Sequence, residues 1–186
     1  IVRNFVCFND SNDRIVKILA AYHQYFGVRK AIERATKAVE GDGKIGVFWH
    51  TQGSGKSLSM VFFAHLLQSR LDSPTIVVIT DRNDLDDQLY GQFGRCSAFL
   101  RQTPVQAESR KDLKDLLEGR EANGIIFTTM QKFTDGDEPL CDRSNVVVMV
   151  DEAHRGQYGL TERMDASGKV SVGAARVVRK ALPNAS

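Results

Sequence analysis

The segment His50-Thr51-Gln52-Gly53-Ser54-Gly55-Lys56-Ser57 follows a short apolar run, Ile45-Gly46-Val47-Phe48-Trp49, and opens a stretch, 58–67, that reads as a helix. The order strand, glycine-rich loop, helix constrains this chain more than any other feature. Glycines at 53 and 55 let consecutive backbone N–H groups turn inward around phosphate oxygens, and the N-terminus of the following helix adds partial positive charge. Thr51, Gly53, Ser54 and Gly55 form the expected phosphate cradle. Lys56 is expected to neutralise β- and γ-phosphates, and Ser57 to offer its hydroxyl to Mg²⁺. The strict P-loop pattern has glycine where this chain has His50, so the segment fits the looser helicase-type loop better than that of GTPases or kinases.

A phosphate cradle alone names no reaction, and the second half of a nucleotide site lies at Val146-Val147-Val148-Met149-Val150-Asp151-Glu152-Ala153-His154. The five apolar residues read as a buried strand. The acids sit just past its carboxyl end, where ligands bind in open α/β sheets. Asp151 is expected to hold Mg²⁺, and Glu152 to polarise the water that attacks the γ-phosphate, a task that ATPases have and kinases do not.

With 42% hydrophobic and 26% charged residues among 186, the chain has the composition of one folded domain and not of a disordered or membrane protein. No stretch has the length of an apolar membrane span or the pattern of a signal peptide, which points to a cytoplasmic segment of something longer that begins at Ile1. Cys7, Cys96 and Cys141 are far apart, without CxxC or Cys/His spacing, so neither a disulfide framework nor a zinc site is expected. A net charge of +2 is too mild to announce nucleic acid by itself.

Four continuous apolar runs, 45–49, 75–80, 124–128 and 146–150, read as strands covered on both faces. Helical patterns lie between them, at 58–67 and around Leu113, Leu116 and Leu117. Together they predict an α/β fold, a mostly parallel sheet with helices on both faces. Upstream, Ile15, Ile18, Leu19, Tyr22 and Phe26 recur at helical spacing behind a cap at Asn12 or Asp13, and Val28, Ala31, Ile32, Ala35 and Val39 continue it. This predicts a helical lead-in over 1–43, closed by the turn Gly41-Asp42-Gly43, ahead of a lobe over 44–186. Residues 155–171 read as a mobile loop and 172–182 as a last helix stopped by Pro183. Arg176, Arg179 and Lys180 give that helix a basic face.

Several of these segments, in this order, resemble the motor part of the R subunit of type I restriction enzymes, a DNA-translocating ATPase of helicase superfamily two. Tyr22-His23-Gln24-Tyr25-Phe26 is similar to the family's segment ahead of the P-loop, and 50–57 to its version of that loop. Thr80-Asp81-Arg82-Asn83-Asp84-Leu85-Asp86-Asp87-Gln88 resembles motif Ia, Phe127-Thr128-Thr129-Met130-Gln131-Lys132-Phe133 motif Ib, and Asp151-Glu152-Ala153-His154-Arg155-Gly156-Gln157-Tyr158-Gly159 the DEAH box with its tail.

The resemblance implies a RecA-like P-loop lobe that binds ATP with Mg²⁺ and grips double-stranded DNA. It also implies methyltransferase and specificity subunits as partners. Gln24 would read the adenine edge, and His154 would link the γ-phosphate site to the DNA face. Thr80, Arg82, Thr128, Thr129 and Gln131 would contact a DNA backbone, whereas His23 and His65 read as packing residues. Motif III, the second lobe and a nuclease cluster do not appear in these residues, so the lobe is expected to be truncated and no nuclease activity is assigned. The resemblance also implies a further strand between the P-loop strand and the acidic strand, leaving 45–49 and 146–150 unpaired with each other. Other superfamily-two motors, or a nucleotide-binding regulatory module without motor function, are the competing readings.

Overall fold

In the computed structural model, the described residues are 2–11, 14–80, 83–133, 138–151, 163–164, 170–171 and 174–186. Three of the four apolar runs become strands of one parallel sheet. Thr75–Thr80 (β3) lies at its centre, between Ile125–Thr129 (β5) and Val146–Val150 (β6), with the two-residue Val105–Gln106 (β4) outside β5. The register pairs Ile76 with Ile125 on one side and with Val147 on the other. All six residues of β3 are buried, as a continuous apolar run requires when both faces of a strand are covered.

Alternation along the strands divides the core in two. Ile76, Val78, Ile125, Phe127, Val147 and Met149 face Lys56–Arg70 (α3) and Asn83–Arg95 (α4). Val77, Ile79, Ile126 and Val146 face Arg110–Glu118 (α6) and Ala174–Ala181 (α7) on the other side. The α6 helix is capped by Ser109, whose hydroxyl accepts from Asp112 N at 3.1 Å, while Asp112 Oδ2 accepts from Glu108 N at 2.8 Å. The expected α/β class, with helices on both faces of a parallel sheet, is what the structure has.

Two expectations fail. The helical spacing upstream of Tyr22 belongs to an antiparallel hairpin: Val6–Ser11 (β1) pairs with Arg14–Leu19 (β2) from Val6↔Leu19 to Ser11↔Arg14. Val6, Ile15, Val16 and Ile18 are β-branched, and their strand preference outweighs the helical spacing that Ile15, Ile18 and Leu19 also satisfy. The proposed caps Asn12 and Asp13 lie outside the described residues. The helix proper is Tyr22–Val39 (α2), whose Val28, Ile32 and Ala35 join the same core as α3, together with Phe5 and Cys7. The lead-in therefore shares a core with the lobe.

The second failure is the run 45–49, which is not a strand. Val47 is 86% and Trp49 79% exposed. A strand needs a ladder partner for its N–H and C=O groups, and among the described residues none lies beside this run. It does not pair with β6, yet the outer edge of β6 is not the empty slot expected. Instead, Ser186 N donates to Val146 O at 3.0 Å and Val148 N to Ser186 O at 2.8 Å along the outer edge of β6.

The turn into this run is as expected, with Gly43 at φ +70° and Lys44 N donating to Asp42 Oδ1 at 3.0 Å. The proposed loop 155–171 lies outside the described residues except for two short antiparallel pieces, Arg163–Met164 (β7) and Val170–Ser171 (β8). Among the described residues, no helix is long and apolar enough to cross a membrane.

Candidate nucleotide site

The glycine loop is shaped by two left-handed residues. Gly53 has φ +80°, and Gly55, at φ +79°, caps the N-terminus of α3, which begins at Lys56. Ser54 closes the turn on Thr51 O through its backbone N–H (3.3 Å) and its hydroxyl (2.7 Å). A Cβ at Gly53 would meet nothing within 4 Å, so the loop is open where phosphate oxygens would sit, next to the first N–H groups of α3.

Helix α2 holds the loop from behind. Gln24 is only 4% exposed: its Nε2 donates to Gly55 O at 2.9 Å, while its Oε1 accepts from Ala21 N at 2.9 Å. His23 Nε2 lies 3.1 Å from Ser54 O. Two consecutive side chains thus bind two consecutive loop carbonyls, which leaves the loop N–H groups directed elsewhere. Further along α2, a Cβ at Gly27 would come within 2.7 Å of the Phe48 ring, and Phe48 stacks on His50 at 4.6 Å. His23, expected only to pack, thus holds the loop, and Gly27 makes room for the Phe48 ring. A glycine inside a helix was the available signal, because it weakens the helix unless something approaches closely.

Asp151 N donates to Ile79 O at 2.9 Å, continuing the β6–β3 ladder by one step. By strand alternation Asp151 shares the face of Val147 and Met149, the face on which α3 packs. Asp151 therefore follows the carboxyl end of β6, whereas the run 45–49 that leads into the glycine loop is not part of the sheet. Among the described residues no group of three or more His, Cys, Asp or Glu is arranged to hold a metal. An Mg²⁺ ion here would rest on Ser57, Asp151, phosphate oxygens and water, which suits an ion that keeps much of its hydration. Glu152, His154 and Arg82 lie outside the described residues.

The expected DNA contacts fare differently. Thr80, Thr128 and Thr129 are 1%, 0% and 2% exposed, and Thr80 Oγ1 donates to Thr128 O at 3.5 Å. These hydroxyls are interior groups and do not reach a DNA backbone in this conformation; Gln131, in the 3₁₀ turn Met130–Phe133, is exposed. Thr128 Oγ1 is buried without a hydrogen-bond partner. Thr128→Val is therefore expected to leave stability unchanged or raise it by up to about 1 kcal/mol in denaturant unfolding, since it deletes an unsatisfied buried hydroxyl and keeps the shape. A clear loss of stability would mean that the hydroxyl has a partner. His65 stacks on Phe99 at 4.1 Å, and burial pushes its imidazole below the usual range, as suits a packing residue. Arg179 donates to Ala185 O at 2.7 Å, so one cation of the basic helical face serves the fold.

A family model described as SWI2/SNF2 ATPase matches residues 23–186. A type I restriction enzyme HindI endonuclease subunit from Haemophilus influenzae is 49% identical over 100% of this chain and 18% of its own length. A putative type I restriction enzyme MjaIXP endonuclease subunit from Methanocaldococcus jannaschii is 41% identical over 91% of this chain and 16% of that protein. The chain thus spans less than a fifth of these relatives, and the resemblance to type I restriction subunits is borne out. Among solved structures, a yeast DEAD-box splicing factor matches 74% of this chain and 33% of that one at 18% identity and a TM-score of 0.48.

Proposed function

Because the chain belongs to the SWI2/SNF2 ATPase family, we propose that it is the ATP-binding and ATP-hydrolysing lobe of a DNA translocase subunit in a type I restriction-modification complex. The observation that supports the reading is the glycine loop at the α3 N-terminus, with left-handed Gly53 and Gly55 and open space beside Gly53. The identity to endonuclease subunits of type I restriction enzymes supports the choice of system over other superfamily-two motors.

In this reading the loop formed by Thr51, Gly53, Ser54 and Gly55 surrounds the phosphates, and Lys56 places its ammonium on the β- and γ-phosphates. Ser57 and Asp151 hold the metal side of the site. When bound, Mg²⁺ would neutralise negative charge on the triphosphate. Glu152 orients and deprotonates the attacking water, and His154 couples the γ-phosphate position to the DNA face. Gln24, 4% exposed and bonded to Gly55 O and Ala21 N without nucleotide, would read the adenine edge only after turning its remaining N–H and lone pair to the base. Arg82 and Gln131 are the remaining groups for a DNA backbone. Double-stranded DNA, together with methyltransferase and specificity subunits, completes the assembly, in the cytoplasm.

The test uses the full subunit assembled in its complex. ATP hydrolysis should rise on addition of duplex DNA carrying the recognition site, and displacement of a third strand bound downstream should depend on ATP. ATP binding without DNA-stimulated turnover would overturn the motor reading in favour of a regulatory nucleotide-binding module.

A further inference from the structure

The peptide unit that joins Ser54 to Gly55 decides what the glycine loop presents. In a trans peptide the C=O and the following N–H point in opposite directions, so the direction of Ser54 O also fixes that of Gly55 N–H. Gly55, at φ +79°, lacks the Cβ that would resist a turn of this unit. Something else must hold it.

The two loop carbonyls that α2 reaches are held unequally. Gly55 O accepts from Gln24 Nε2 at 2.9 Å, and also from Ser59 N at 3.0 Å and Ser59 Oγ at 3.3 Å, so the first turn of α3 keeps it in place without Gln24. Ser54 O has one partner among the described residues, His23 Nε2 at 3.1 Å. A carbonyl oxygen only accepts, so Nε2 carries the proton. The imidazole is also seated against the start of the loop: its ring lies 5.2 Å from that of His50, which stacks on Phe48 at 4.6 Å, and Tyr22 meets it edge-on at 5.6 Å. His23 therefore touches both ends of the loop.

We infer that His23 is a positioning residue for nucleotide binding, locking the Ser54–Gly55 peptide with its oxygen toward α2 and its N–H toward the phosphates. Without that bond the peptide is free to turn over, and a carbonyl oxygen then faces the triphosphate, where its partial negative charge opposes binding. The lock acts on phosphate and not on the base, which separates it from the adenine contact proposed for Gln24. It also outlasts that contact: when Gln24 turns to the base, His23 and Ser59 still hold the two carbonyls. The inference rests on the nucleotide reading of the glycine loop.

The experiment measures ATP hydrolysis with duplex DNA by the intact subunit in its complex, together with equilibrium binding of ADP. His23→Phe keeps a ring against His50 and removes the donor, His23→Leu removes both, and His23→Gln returns a side-chain N–H at similar reach. The two donor-free variants should raise KM for ATP and Kd for ADP by the same factor, roughly threefold to tenfold for one neutral hydrogen bond, with kcat within about twofold at saturating ATP. His23→Gln should restore most of the affinity. A general loss of structure would instead lower kcat through a smaller active fraction and leave KM alone; if one donor-free variant does not fold, the other carries the test. Unchanged KM and Kd in the donor-free proteins would overturn the inference, as would lowered kcat at constant KM or an equal rise of KM in His23→Gln. Lys56→Ala keeps the two readings apart. If it leaves ATP binding intact, the loop is not the phosphate site; if it abolishes binding while the donor-free variants bind normally, His23 alone loses its role.

Discussion

In the intact subunit, Lys56→Ala should abolish ATP turnover by weakening nucleotide binding, whereas Glu152→Gln should bind nucleotide normally and turn it over roughly 10² to 10⁴ times more slowly. The two substitutions remove different things. Lys56 opens α3 beside a loop shaped by Gly53 and Gly55, so its ammonium meets phosphate in the ground state as well as in the transition state. Glu152 follows Asp151 in sequence, and its carboxylate is needed only when water attacks. The amide of glutamine keeps the size and loses the base. Steady-state ATPase rates and equilibrium nucleotide affinity separate the two effects. Near-normal turnover in Glu152→Gln would remove that residue from the catalytic role.

Gly55→Ala should destabilise the nucleotide-free protein by about 1.5 to 3.5 kcal/mol. A Cβ at left-handed φ costs about 1–2 kcal/mol, and the displaced Gln24 hydrogen bond about 0.5–1.5 kcal/mol more. The displacement is forced, because the new Cβ would lie 2.6 Å from Gln24 Nε2. Gly53→Ala supplies the contrast: φ is nearly the same, and the space around it is empty. Only the conformational part, about 1–2 kcal/mol, should appear there. Adding Gln24→Ala to Gly55→Ala should remove the clash and reduce the penalty of the glycine substitution, giving a non-additive double mutant. Denaturant midpoints measured without nucleotide for the unsubstituted protein, the two glycine variants, Gln24→Ala and the double variant read these effects. Equal losses at the two glycines would mean that α2 does not press on the loop.

The strands β3, β5 and β6 were legible in the sequence because a strand buried on both faces has no alternation to confuse with a helix. The runs Thr75-Ile76-Val77-Val78-Ile79-Thr80 and Val146-Val147-Val148-Met149-Val150 therefore read almost to the residue. The hairpin was not legible from spacing. Ile15, Ile18 and Leu19 fit either period, and Ile15 and Leu19 remain 74% and 62% exposed, so no buried face distinguishes the two. The run 45–49 looked as apolar as the others, but apolarity does not supply a neighbour to pair with. In the proposed site, Lys56 and Asp151 stand out in the sequence because their expected chemistry is local to their motifs. The grip of His23 and Gln24 on Ser54 O and Gly55 O, across 31 residues, is tertiary and leaves no spacing pattern. The burial of Thr80, Thr128 and Thr129 is likewise a property of the sheet and not of the motifs they sit in.

The central place of β3 also governs how the molecule assembles. Thr80 meets the β5 neighbour Thr128 across 48 residues, and Thr75 meets Arg143, just ahead of β6, across 68. Contacts of such separation carry a loop-closure penalty and slow the search for the folded state. During synthesis, α2, the glycine loop and α3 emerge together and settle locally, while one edge of β3 waits for β6. The glycine loop is therefore expected to form before Asp151 takes its place past β6, with the rate of translation setting the interval between the two.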